Sequence, residues 1–174
     1  ALDGLHITAL DQTGLSQKGG PVVSNLKISD KPVDMSNKVA NGTADAYLVF
    51  DVLTATSAKN LVRANPNRTV AVVSTSKVPT GAMVRDTAVH FPEADRLLNI
   101  INNQTLAGEN VFFDAVGIAE ALFDNHMMAN MIVIGAAYQS GVLPMSDESI
   151  ERAIELNGVR IEKNKNAFRV WRLI

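Results

Sequence analysis

The residues best suited to chemistry lie between two stretches of alternating apolar side chains: Gly14, Leu15, Ser16, Gln17, Lys18, Gly19 and Gly20, closed by Pro21. Glycines let backbone N–H groups approach a ligand closely, and a lysine adds a point charge, so an anion such as a phosphate fits a loop of this kind. The spacing is not that of a P-loop, and the segment leads into a strand rather than a helix. The same composition also builds a tight inter-strand turn with a solvated lysine.

Other candidates are single residues. Asp51 ends the apolar run Tyr47, Leu48, Val49, Phe50, which reads as a strand buried on both faces. Ligands gather at strand ends in α/β sheets, so Asp51 is either a ligand contact or a helix cap. Asp114 has the same two readings. Asn130 falls in a helix that reads as apolar nearly all round, where a buried amide must bond either within the domain or to a partner chain. Ser74, Thr75, Ser76 and Thr80 make a hydroxyl-rich loop, suited to a ligand or to satisfying loop backbone groups. His6, His90 and His126 lack metal-ligand spacing. Arg160, Lys163, Lys165, Arg169 and Arg172, with Phe168 and Trp171 among them, either dock on an acidic partner or complement a helix dipole.

These residues need elements to position them. Residues 5–10 and 22–28 alternate as strands, with turn formers between them. Residues 31–42 read as a loop, 47–50 and 69–73 as buried strands, and 111–113 as a short strand. Helices are expected around 59–63, after Pro92–Glu93, after Asp114 and over 127–138, with a final amphipathic helix capped by Ser146. Strands alternating with helices imply a three-layer α/β/α domain over residues 1–174. The early strand pair has no room for a crossover helix, so the sheet is expected to be mixed and mostly parallel.

Composition narrows the function classes. The 174 residues are 47% hydrophobic and 20% charged, a balance that suits a packed core. There is no cysteine, which removes disulfides, thiolate nucleophiles and cysteine-ligated clusters from this chain together. A formal net charge of −2 gives no general attraction to nucleic acid or anionic membranes. No apolar stretch approaches the roughly 18 residues of a membrane span, and a cytoplasmic location is expected.

The string Thr13-Gly14-Leu15-Ser16-Gln17-Lys18-Gly19-Gly20-Pro21-Val22-Val23-Ser24, followed by Leu26-Lys27-Ile28, resembles the glycine-rich stretch in the gamma domain of 2-oxoacid:ferredoxin oxidoreductases, most closely the indolepyruvate type. The resemblance continues through Gly42-Thr43-Ala44-Asp45, Asp51, Asp114-Ala115, Asn130-Met131 and Gly135-Ala136-Ala137-Tyr138-Gln139. It ends in Ala153-Ile154-Glu155-Leu156-Asn157-Gly158 and Asn166-Ala167-Phe168. Members of that family begin with a βα unit carrying a glycine-rich turn; here the first βα unit is expected to be missing, with apolar surface exposed where it would pack.

The resemblance implies an enzyme that oxidatively decarboxylates a 2-oxoacid with coenzyme A, giving an acyl-CoA and reduced ferredoxin. It implies thiamine diphosphate, Mg2+ and 4Fe-4S clusters on partner subunits or domains, since this chain lacks cysteine and the family's Gly-Asp-Gly signature for magnesium diphosphate. A multimeric assembly follows, in which Gly14 to Gly20 contact coenzyme A, substrate or a partner, with Lys18 on a phosphate. Two other classes fit the residues: a free-standing nucleotide- or acyl-CoA-binding α/β protein, and a purely structural interaction module.

Overall fold

The computed structural model describes residues 2–13, 21–33, 36–79, 81–86, 88 and 90–172. Its strands are β1 (His6–Thr13), β2 (Val22–Ser29), β3 (Ala46–Val49), β4 (Val70–Ser74) and β5 (Val111–Phe113). Helices α1 (Val52–Ala55) and α2 (Ala58–Leu61) join β3 to β4, and α3 (Gly81–Arg85) and α4 (Ala94–Asn102) join β4 to β5. Four more helices follow: α5 (Ala115–Phe123), α6 (Ala129–Gln139), α7 (Asp147–Asn157) and α8 (Ile161–Arg169).

The α/β expectation holds, but the strands form two sheets rather than one mixed sheet. β1 and β2 make an antiparallel ribbon of their own, while β3, β4 and β5 form a parallel sheet with β4 in the middle. Side chains alternate across a strand, and here both faces are covered by helices. Tyr47, Val49, Ala71, Val73 and Phe112 face α1 and α4, whereas Leu48, Val72 and Phe113 face α5, α6 and α8. Ala71, Val72 and Val73 are each 0% exposed, which explains why β4 reads as an unbroken apolar run. Burying each such valine stabilises the fold by roughly 1.5–3 kcal/mol before entropy is counted.

Helix α6 is the buried spine of one side. Its Gly135 carries no side chain because a Cβ there would lie 2.2 Å from the Phe168 carbonyl oxygen of α8. The final helix of the sequence reading is in fact two, α7 and α8. Gly158 (φ 71°) ends α7 in the left-handed region, and Arg160 (φ 45°) is left-handed just before α8. Four side chains lash the pair together: Arg169 forks onto Glu151, and Lys165 reaches Glu155 at 2.5 Å and Glu151 at 3.9 Å. Lys165 and Arg169 are therefore engaged inside the fold and not held out for an acidic partner.

The β1–β2 ribbon has one packed and one bare face. Val39 donates its N–H to the buried Asn25 carbonyl oxygen on the inner face. On the other face Ile7 pairs with Ile28 and Ala9 with Leu26, and Ile7, Leu26 and Val22 are 51%, 57% and 61% exposed. Before β1, the Asp3 carboxylate accepts hydrogen bonds from the Ser146 N–H and from the Ser146 and Ser149 hydroxyls, which holds Asp3 below the usual carboxylate range.

Candidate functional site

The C-terminal ends of all three parallel strands meet at one shallow cavity of ≈ 300 Å3. Phe50 directly follows β3, Ser74 is the last residue of β4, and Val116 lies in the first turn of α5, just beyond β5. His126, from the 3-10 turn His126–Met128, and Asn130, from the first turn of α6, lie four residues apart on the opposite wall; Val133 adds apolar lining. A position outside the carboxyl ends of parallel strands is where open α/β sheets collect ligands.

A hydrogen-bond chain supports the floor. The Ser74 and Ser76 hydroxyls lie 2.8 Å apart, and Ser76 donates to the Asp114 carboxylate at 2.6 Å. The Val116 N–H donates to the Ser76 oxygen at 3.0 Å, and the Gly117 N–H donates to Asp114, also at 3.0 Å. Asp114 thus caps α5 and anchors the loop after β4 at once. The Ser76 hydrogen bond, with those from Gly117 and Val116, outweighs desolvation and keeps the Asp114 carboxyl below its ordinary range.

The structure sorts the residues singled out from sequence. Asp51 caps α1, accepting from the Leu53 N–H at 3.0 Å and the Thr54 hydroxyl at 2.7 Å, and it does not line the cavity although its neighbour Phe50 does. Asn130 corrects its expected burial. The apolar side of α6 is buried, but Asn130 is exposed at the cavity wall, and its amide makes no hydrogen bond among the described residues. Gly14, Leu15, Ser16, Gln17, Lys18, Gly19 and Gly20 lie outside the described residues, as does Thr80. Phe50 and His126 were not legible as site residues from their types. Two signals point to them: the strand-end rule already applied to Asp51, and the i, i+4 spacing of His126 and Asn130.

The family profile of pyruvate ferredoxin/flavodoxin oxidoreductase matches residues 1–170. The chain belongs to that family. The match agrees with the gamma-domain resemblance carried by residues 13–24 and the later landmarks. The chain is also similar to an indolepyruvate oxidoreductase subunit, IorB, of Archaeoglobus fulgidus. The two are 23% identical over 151 residues, which cover 87% of this chain and 70% of the relative.

Enzymes of this family use thiamine diphosphate and iron–sulfur clusters, and the cysteine-free sequence of this chain does not fit a thiolate-ligated cluster. Among the described residues, no three His, Asp or Glu side chains come together to hold a metal ion. No described helix is long and apolar enough to cross a membrane.

Proposed function

We propose that this chain is the gamma-type domain of a thiamine-diphosphate-dependent 2-oxoacid ferredoxin oxidoreductase of the indolepyruvate type, working as one unit over residues 1–174 and helping to enclose the site where an acyl-CoA is made. The observation that carries this reading is the family match over residues 1–170, joined to a sheet-edge cavity in the place where α/β sheets bind ligands. Thiamine diphosphate, Mg2+ and 4Fe-4S clusters belong to partner subunits or domains. Ferredoxin takes the electrons through the whole enzyme, coenzyme A is the co-substrate, and the assembly is multimeric and cytoplasmic. Thiamine diphosphate supplies the electron sink for decarboxylation; the isolated chain does no chemistry of its own.

Within that reading, Gly14, Leu15, Ser16, Gln17, Lys18, Gly19 and Gly20 form the contact with coenzyme A, substrate or partner. Lys18 meets a phosphate as a point charge, since glycines on both sides let backbone donors share it. Asp51 supports the carboxyl edge of the parallel sheet as the cap of α1, and Asn130 presents its amide at the cavity on that edge. Changing Lys18 to Ala in the assembled enzyme tests this directly. The reading predicts a raised KM for coenzyme A with subunit composition unchanged; an unaltered KM contradicts it.

The bare apolar face of the β1–β2 ribbon favours a second reading, a purely structural module that buries partner surface and touches no ligand. The same Lys18 variant separates the two, because a structural module leaves the coenzyme A KM untouched.

A further inference from the structure

We infer that the cavity at the C-terminal edge of β3–β5 receives a planar heteroaromatic ring through an N–H group, which the ring donates to the Ser74 hydroxyl oxygen. The direction of the hydrogen-bond chain under the cavity carries the argument. Asp114 is a carboxylate at neutral pH and can only accept, so Ser76, 2.6 Å away, must donate its single hydrogen there. The Ser76 oxygen then has only lone pairs left, one taken by the Val116 N–H and one facing Ser74 at 2.8 Å. Ser74 must therefore donate to Ser76. Its own hydrogen is engaged, and what this 2%-exposed residue retains for a ligand is an acceptor.

The remaining lining narrows the ligand further. Val116, Val133 and the 42%-exposed ring of Phe50 offer apolar and aromatic surface, on which a flat ring can stack. The Asn130 amide, with no hydrogen bond among the described residues, presents a donor and an acceptor in one plane, which matches the edge of a nitrogen heterocycle. Among the described residues no lysine or arginine lines the cavity, and the His126 imidazole beside Asn130 adds a further polar ring group at the rim, a lining that suits a flat ring with polar edge atoms. Two molecules carry such a ring if the oxidoreductase reading holds: a nucleotide co-substrate, through its adenine, and an aryl 2-oxoacid, through its indole. The inference that an N–H ring binds here does not depend on that reading; only the choice of source does.

The test titrates the full 174-residue chain with adenosine and with indole, followed by ligand-observed NMR. The same titrations use N6,N6-dimethyladenosine and 1-methylindole, which keep the ring but lack the N–H. At least one N–H ring should bind, and its methylated partner should bind about tenfold more weakly, the effect of one lost hydrogen bond to a buried acceptor. Ser74→Ala should remove that preference. Asn130→Ala, an exposed position whose loss does not threaten the fold, should weaken binding by about five- to tenfold. Adenosine alone binding identifies the co-substrate as the source, and indole alone identifies the 2-oxoacid. Binding of neither ring, equal binding of methylated and unmethylated rings, or unchanged binding in Asn130→Ala overturns the inference. The family assignment and the Lys18 experiment are untouched by any of these results.

Discussion

The Ser76 hydroxyl donates to the Asp114 carboxylate at 2.6 Å, joining the loop after β4 to the first turn of α5 across 38 residues of sequence. One carboxylate thereby caps a helix, fixes a loop and sets the direction of the hydroxyl chain under the cavity.

Asp114→Ala should therefore cost about 1–2 kcal/mol of stability, the range for a lost N-cap with a second hydrogen bond. The acid limb of the stability curve should change with it. The folded-state carboxyl is held below its ordinary value of 3.8, so its contribution is present above that pH and fades as pH falls through the folded value. Urea unfolding from pH 2 to 7 checks both points. A variant whose deficit against wild type is the same at pH 2 and pH 7 contradicts this role.

Gly135→Ala tests the packing of α6 on α8. The added Cβ would meet the Phe168 carbonyl oxygen at 2.2 Å, and a backbone atom cannot step aside without moving its helix. Overpacking of this kind costs about 1–3 kcal/mol. Thermal unfolding should show a clear loss; helix propensity alone would have made the same change stabilising.

Tyr47 gives an alkaline signature. Burial pushes its hydroxyl up to about 12 from 10.0, and the group donates to the Ala55 carbonyl at 2.8 Å. Between those two pH values the unfolded chain loses this proton while the folded chain keeps it, so stability should fall by about 1.4 kcal/mol per pH unit from this group. Tyr47→Phe should be less stable by about 1 kcal/mol at pH 8 and should show a shallower decline above pH 10, as measured by denaturant unfolding. A decline as steep as in wild type would assign it to other groups.

The ion pairs within α7 and between α7 and α8 should rank by burial. Glu151, 16% exposed and forked by Arg169, should cost about 1 kcal/mol when changed to Ala, with part of the effect lost in high salt. Arg152, paired with Glu155 at 56% and 36% exposure, should cost at most a few tenths of a kcal/mol. Equal effects would show that the inter-helix fork is no better than a surface pair.

Much of this architecture is legible in residue order, for physical reasons. Tyr47 to Phe50 and the apolar residues around Val72 read as buried strands because both their faces meet helices. Asp51, Asp114 and Ser146 read as helix caps because short oxygen-bearing side chains before an apolar run have that use, and all three accept the cap hydrogen bond. The separation of the β1–β2 ribbon from the parallel sheet is not legible, since alternation describes a strand's own faces and not its neighbours. Nor is the break between α7 and α8, where Gly158 interrupts a pattern that stays amphipathic on both sides. Asn130 shows the limit for the site. Its apolar neighbours imply burial, yet its place in the first turn of α6 leaves it at an open cavity wall.

If this chain works inside a 2-oxoacid ferredoxin oxidoreductase, purification of the intact native protein through a tag on this chain should bring the rest of that enzyme with it. Mass spectrometry would identify the polypeptides, followed by assays of iron, sulfide and thiamine diphosphate and of coenzyme A-dependent dye reduction with indolepyruvate. The account predicts a partner or fused chain that carries the cofactors, together with that activity. Recovery of this chain alone, without cofactor and without activity, would contradict it.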